Sequence, residues 1–143
     1  AYRACSNITN IVVDTDNSNL DSRNNCNAII NTNTNSLYVG CQNTIIPNDI
    51  VSIQNNSFDT QTNLTSITIP SSVTNIGNNA FGYCSGLESI TCLGTTAPTI
   101  QSTTFRDVKT NGTLYVPTGS NYSTWMGTGN YYLGKYSWTK VEQ

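Results

Sequence analysis

The chain repeats itself at an offset of about 23 residues, and that self-similarity constrains its fold more than any other feature. Ile46, Pro47, Ile50, Ile53, Phe58, Leu64 and Ile67 reappear as Ile69, Pro70, Val73, Ile76, Phe81, Leu87 and Ile90. With one inserted residue the register runs on: Ile76, Phe81 and Ile90 return as Ile100, Phe105 and Leu114, and Pro70 as Pro117. Leu87 has no counterpart in that third unit, where Asn111-Gly112 stands. The register also runs backwards. Ala1-Tyr2, Cys5-Ser6, Ile8, Ile11 and Val13 match Ala80-Phe81, Cys84-Ser85, Leu87, Ile90 and Cys92, all at one common offset. The chain is therefore expected to start in the middle of a repeat, as a piece of a longer parent; the missing initial Met and signal segment point the same way.

Each unit reads L-x-x-I-x-I-P, then V-x-x-I, then A-F. The alternation at Ile67/Ile69 and Leu114/Val116 predicts a short strand with one buried face. Pro70 ends it, because proline has no N–H to continue a ladder. Residues 78–84 are expected to make a single helical or 3-10 turn that drops Phe81 into the interior. One unit cannot bury its own apolar face, so neighbours must stack to build a continuous core.

The run Leu64-Thr-Ser-Ile-Thr-Ile-Pro-Ser-Ser-Val-Thr-Asn-Ile-Gly-Asn-Asn-Ala-Phe-Gly-Tyr-Cys84 closely resembles the BspA-like leucine-rich repeats of anaerobic oral and gut bacteria. The segment Asp21–Ile30 with Gly40-Cys41 is similar to an insert found in such proteins, and Leu114-Tyr-Val-Pro117 with its aromatic tail to their usual ending. The expected fold class is α/β: a β-rich leucine-rich-repeat solenoid of horseshoe type with short helical or 3-10 turns. It divides into a partial first repeat (1–13), a hairpin insert (14–44), repeats of about 23 residues (45–117) and a C-terminal cap (118–143).

Composition narrows the chemistry. The chain of 143 residues has six Lys+Arg, eight Asp+Glu and no His. Six scattered cations cannot form the stripe that nucleic acid requires. Without His there is no His-based triad, general base or metal ligand. No apolar run approaches membrane-spanning length, so no membrane insertion is expected. There are 21 Asn, 22 Thr and 15 Ser, a bias that raises the question of disorder; low charge, 13 aromatics and evenly spaced Ile, Leu and Phe answer it. With so many Asn, Ser and Thr, the five glycosylation-like sequons (Asn7, Asn55, Asn63, Asn111, Asn121) are the number chance supplies.

Within the insert, Ala28-Ile29-Ile30 and Leu37-Tyr38-Val39 read as a β-hairpin centred on Asn33-Thr34. In that register Cys26 faces Cys41, and Cys26, Ala28, Ile30, Leu37, Val39 and Cys41 share the core face. A Cys26–Cys41 disulfide is allowed; two buried thiols are the alternative. Cys5, Cys84 and Cys92 occupy core slots of the repeat and behave as small hydrophobes. None of the five has a CxxC partner or a base, which leaves neither a zinc site nor a catalytic thiol.

Three stretches carry candidate chemistry. Asp14-x-Asp16-x-Ser18 opens like a calcium loop, but Asn19 stands where Gly is wanted and Asn25 where Glu is wanted; a solvated loop with Asx turns is favoured. Between Tyr115 and Trp138 lie seven of the 13 aromatics. They suit a sugar or protein contact surface, or a cap over the open end of the solenoid, the favoured reading. The outward side of the strands is the third. With Ile67 and Ile69 inward, Asn43, Ser66, Thr68, Ser89, Thr91, Thr113 and Tyr115 point out, edged by Val12 and Ile45. Hydroxyl and amide groups there suit hydrogen bonding to glycans or to protein backbone; strand propensity alone also explains Thr.

The expectation is a non-enzymatic, cofactor-free module. The resemblance implies a protein of the bacterial cell surface that adheres to host matrix proteins, cell-surface proteins or glycans. The alternative is a structural or assembly module of a surface fibre or phage appendage, self-associating through the open N-terminal repeat.

Overall fold

The computed structural model describes residues 5–143. Ala1 and Tyr2, the expected counterparts of Ala80 and Phe81, lie outside them. Among the described residues, nine short strands form two sheets that face each other across the core. The first sheet holds β1 (Leu20–Asp21), β2 (Ala28–Asn31), β3 (Ser36–Gly40), β4 (Ser52–Ile53) and β6 (Asn75–Ile76) in that order. The second holds β5 (Ser66–Ile69), β7 (Ser89–Cys92), β8 (Thr113–Val116) and β9 (Thr139–Glu142), all parallel. The chain is the repeat solenoid its periodicity predicts.

Phe58, Phe81 and Phe105 are fully buried. Their rings stack face to face, at 5.1 Å from Phe58 to Phe81 and 5.9 Å from Phe81 to Phe105. Trp125 extends the column at 5.2 Å from Phe105, and Tyr122 meets Trp125 edge-on. Each Phe comes from the turn between coils. The bonds Ala80 N to Gly77 O and Gly82 N to Asn79 O give 3-10-like turns. They do not grow into a helix, because Asn79 (φ 51°) and Tyr83 (φ 55°) are left-handed. Left-handed residues recur in register at Thr60, Tyr83 and Asp107. Hydrogen bonds to the next coil hold two of them: Thr60 N to Gly82 O and Tyr83 N to Arg106 O.

The insert is more than a hairpin. β1 adds a third antiparallel strand beside β2. β3 then pairs in parallel with β4, Ser36 opposite Ser52 and Leu37 opposite Ile53, so the insert supplies the first full rung of the solenoid's first sheet. The turn falls where the sequence puts it, Asn31 opposite Ser36, but a bulge follows. Beyond it Ile29 pairs with Val39 and Ala28 with Gly40, one residue out of the expected register. Tyr38 is the extra residue and is exposed. The bulge turns Val39 off the core face and puts Gly40 there instead, against the Phe58 ring. It also takes Cys26 out of direct opposition to Cys41: both are buried, and both thiols are free.

The aromatic tail closes the far end. Tyr122, Trp125, Tyr136 and Trp138 are buried, with Leu133 among them. Their polar tips are satisfied by backbone: Tyr122 Oη donates to Gly94 O, Trp125 Nε1 to Pro98 O and Trp138 Nε1 to Lys109 O. Arg106 lies against the rings of Tyr83 and Tyr131, and Lys135 against Tyr131, which ties the cap to the last coils through cation–π contacts.

Candidate functional site

The second sheet sets the geometry of the outward face. Its inward positions align as Ile67, Ile90 and Leu114, with Ile69 and Cys92 alongside. Because successive side chains alternate across a strand, the residues between them point out. They form two rows across the sheet: Ser66, Ser89, Thr113 and Thr139 in one, Thr68, Thr91, Tyr115 and Val141 in the other. Neighbours within a row are therefore one inter-strand spacing apart, about 4.8 Å.

Six of the seven candidate residues thus share one surface. Among the described residues, no partner ties up the hydroxyls of Ser66, Thr68, Ser89, Thr91 and Thr113 in a side-chain hydrogen bond, whereas many buried hydroxyls elsewhere bond to backbone carbonyls, as Ser57 and Thr104 do. No ionisable side chain other than the Tyr115 phenol stands in either row. Charges flank the rows in pairs: Lys109 bonds Glu88 at 2.7 Å and holds that carboxyl below its usual range.

Asn43 departs from the expected row. It is exposed, but it lies outside any strand, and its amide donates to Thr9 O at 3.2 Å. The preceding coil is drawn toward the insert, where Ile45 N bonds Cys26 O. β5 is consequently an edge strand, and an open groove of about 390 Å³ lies between Thr44–Asn48 and Ser66–Pro70. Val12 and Ile45, expected to edge the face, are each 76% exposed.

Thr139 and Val141 extend the rows without having been read from the sequence. Their separation from Thr113 and Tyr115 matches neither earlier spacing of the repeat, so the period does not announce them. The positions of β9 in register with Leu114 and Val116 carry Lys140 and Glu142, exposed and paired at 3.0 Å, in place of apolar residues. Charges at these positions of an edge strand end the apolar column and guard the edge.

The other candidates resolve simply. Asp14 Oδ1 accepts from Asp16 N in an Asx turn, while Asp21 is engaged by Arg23 at 2.6 Å. The three carboxylates are not gathered, and among the described residues no cluster of three His, Cys, Asp or Glu side chains is placed to hold a metal. Burial pushes the Cys84 and Cys92 thiols up to about 12, the opposite of what a nucleophile needs. Among the described residues no helix is long and apolar enough to cross a membrane.

Comparison with known proteins agrees with this geometry. The family model for the BspA type leucine rich repeat region matches residues 28–125, in six copies. No curated protein and no solved structure matches the chain.

Proposed function

The chain belongs to the BspA-type leucine-rich repeat family, and on that premise we propose that it is a non-enzymatic binding module of a bacterial cell-surface protein. It engages host matrix proteins, cell-surface proteins or glycans through the outward rows of the second sheet. One observation carries the reading: two parallel rows of unengaged hydroxyls stand on a sheet whose inner face is locked into the core. A preformed surface loses little conformational entropy on binding. With no charged group in the rows, binding there depends little on salt.

A matrix-protein and glycan array on the full chain identifies the ligand. Thr68→Lys with Thr91→Lys then places an unpaired charge in the middle of both exposed strands. The expected result is at least a tenfold loss of affinity, with the parent interaction changing little as salt rises. Retention of affinity by the double variant, or a steep salt dependence of the parent, contradicts the assignment.

A second reading rests on Val12 and Ile45, both largely exposed, with Ile45 lining the groove beside the unpaired edge of β5. Here the module is an assembly element that associates through its N-terminal coil. Light scattering separates the two: concentration-dependent growth abolished by Val12→Ser and Ile45→Ser supports assembly, and a monomer at all concentrations opposes it.

A further inference from the structure

The repeat spacing lengthens by a single residue at one place, and a cavity has formed there. The stretch from Cys92 to Ile100 is one residue longer than its counterpart from Ile69 to Ile76. The extra residue falls within the connecting loop formed by residues 95–99. Thr96 pairs with Asn121 of the cap in a parallel bridge, and Thr99 with Asn75 of the coil before. Between the loop and cap residues 121–125 lies an open cavity of about 450 Å³.

Its two walls are fixed to each other. Tyr122 Oη donates to Gly94 O at 2.9 Å and Trp125 Nε1 to Pro98 O at 3.0 Å, both in buried surroundings. The floor is apolar, built from Ala97, Pro98, Ile100 and the covered edge of Trp125. The rim is polar. Thr95, Thr96, Thr99, Ser123 and Thr124 are exposed there, and none of their hydroxyls bonds to another described residue. Asn121 uses its side-chain oxygen on Ser123 N, at 3.0 Å, which leaves its amide NH₂ to serve a ligand. No charged side chain lines the space, and the Tyr122 phenol, itself raised by burial, spends its proton on Gly94.

We propose that this cavity is a binding site for a neutral saccharide of one or two rings. Its volume is in the range of small-ligand sites. Each Ser or Thr hydroxyl is both donor and acceptor, which matches the mixed donor and acceptor rim of a sugar. The apolar floor suits the C–H face of the ring. Absence of charge disfavours sulfated or carboxylated sugars, which would give up hydration without a cation in return. The site is separate from the strand rows and does not rest on their assignment.

The test is a titration of the full ¹⁵N-labelled chain with neutral probes: glucose, galactose, mannose, N-acetylglucosamine and the β-linked dimers of each. The proposal expects saturable amide shifts at residues 94–100 and 120–126, whether or not the strand rows respond as well. Thr96→Val with Thr124→Val, which keeps shape and removes two hydroxyls, weakens the dissociation constant about tenfold, as the loss of two hydrogen bonds should. Thr15→Val with Thr62→Val, away from the cavity and from the strand rows, leaves that constant unchanged. Both pairs are on exposed positions, and unchanged melting temperatures show that the variants are folded. No shift with any neutral sugar, shifts that spare the cavity residues, binding indifferent to the loss of Thr96 and Thr124 hydroxyls, or occupation by an extended peptide instead would overturn the proposal. Failure here with an intact strand-face effect, or the reverse, separates the two sites.

Discussion

Replacing Phe81 should cut deeper into stability than any other single side-chain truncation in the repeats. Its side chain is fully buried and has an aromatic ring on each face, at 5.1 and 5.9 Å. Phe→Ala in a core costs about 3–5 kcal/mol, more where the site cannot collapse. Here the cavity is bounded by rings held from two other coils, so the expected cost is near the upper end, about 4–5 kcal/mol. Against a typical domain stability of about 5–15 kcal/mol, that leaves the variant partly unfolded or close to it. Phe81→Leu keeps most of the volume and loses mainly the ring contacts, each worth about 0.5–1.5 kcal/mol, so it should cost about 1–3 kcal/mol. The milder variant permits a double-mutant cycle. Phe58→Leu with Phe81→Leu should show a coupling of about 0.5–1.5 kcal/mol. Phe58→Leu with Phe105→Leu, whose rings are separated by Phe81, should be additive within about 0.5 kcal/mol. Urea unfolding followed by both circular dichroism and tryptophan fluorescence gives these numbers, provided the two probes coincide. A Phe81→Ala cost below about 1 kcal/mol, or equal coupling in both cycles, refutes the stacked-column reasoning.

Three further outcomes follow from particular contacts. In the native chain a thiol reagent should modify Cys5, which is partly exposed, while Cys26, Cys41, Cys84 and Cys92 react only on unfolding; counting labelled sites by mass spectrometry checks this. The Asp21 carboxyl accepts two bonds from the Arg23 guanidinium, which holds it below its ordinary value of 3.8. Its contribution is therefore present above that value and lost as pH falls through the depressed one. Melting temperature should accordingly drop further on acidification for the parent than for Asp21→Asn. Gly40→Ala drives a methyl into the Phe58 ring and should cost about 1–3 kcal/mol by overpacking; a neutral effect in thermal unfolding would mean that β3 does not pack on the repeats as described.

How much of this was legible in the sequence depends on whether position repeats. Phe58, Phe81 and Phe105 announce themselves because each coil spends the same slot on the same ring, and the outward Ser66 to Tyr115 rows follow from the same offsets. β3 was hidden: Leu37 stands less than one repeat before Ile53, so no period links the insert to the sheet that it joins. The bulge at Tyr38 carries no Gly or Pro to mark it, and one extra residue there was enough to turn Val39 out, bring Gly40 in and part Cys26 from Cys41. Asn43 had the right register but the wrong neighbour, because a hydrogen bond from Ile45 to Cys26 draws its coil toward the insert. β9 was missed for a physical reason too. The slots in register with Leu114 and Val116 hold exposed Lys140 and Glu142, so the apolar alternation that marks a strand stops where the core stops. The single inserted residue after Cys92 was visible; that it opens a cavity against the cap depends on Tyr122 and Trp125 reaching back to Gly94 and Pro98.

The central claim is that successive coils share one aromatic column, and the chain lends itself to a direct check because it contains only three phenylalanines. Selective labelling of Phe rings, with nuclear Overhauser contacts recorded among them, reads the column without assigning the rest of the core. The account predicts strong ring contacts for Phe58 with Phe81 and for Phe81 with Phe105, none between Phe58 and Phe105, and all three rings shielded from a soluble paramagnetic probe. Rings without mutual contacts, or rings that the probe broadens, would contradict it.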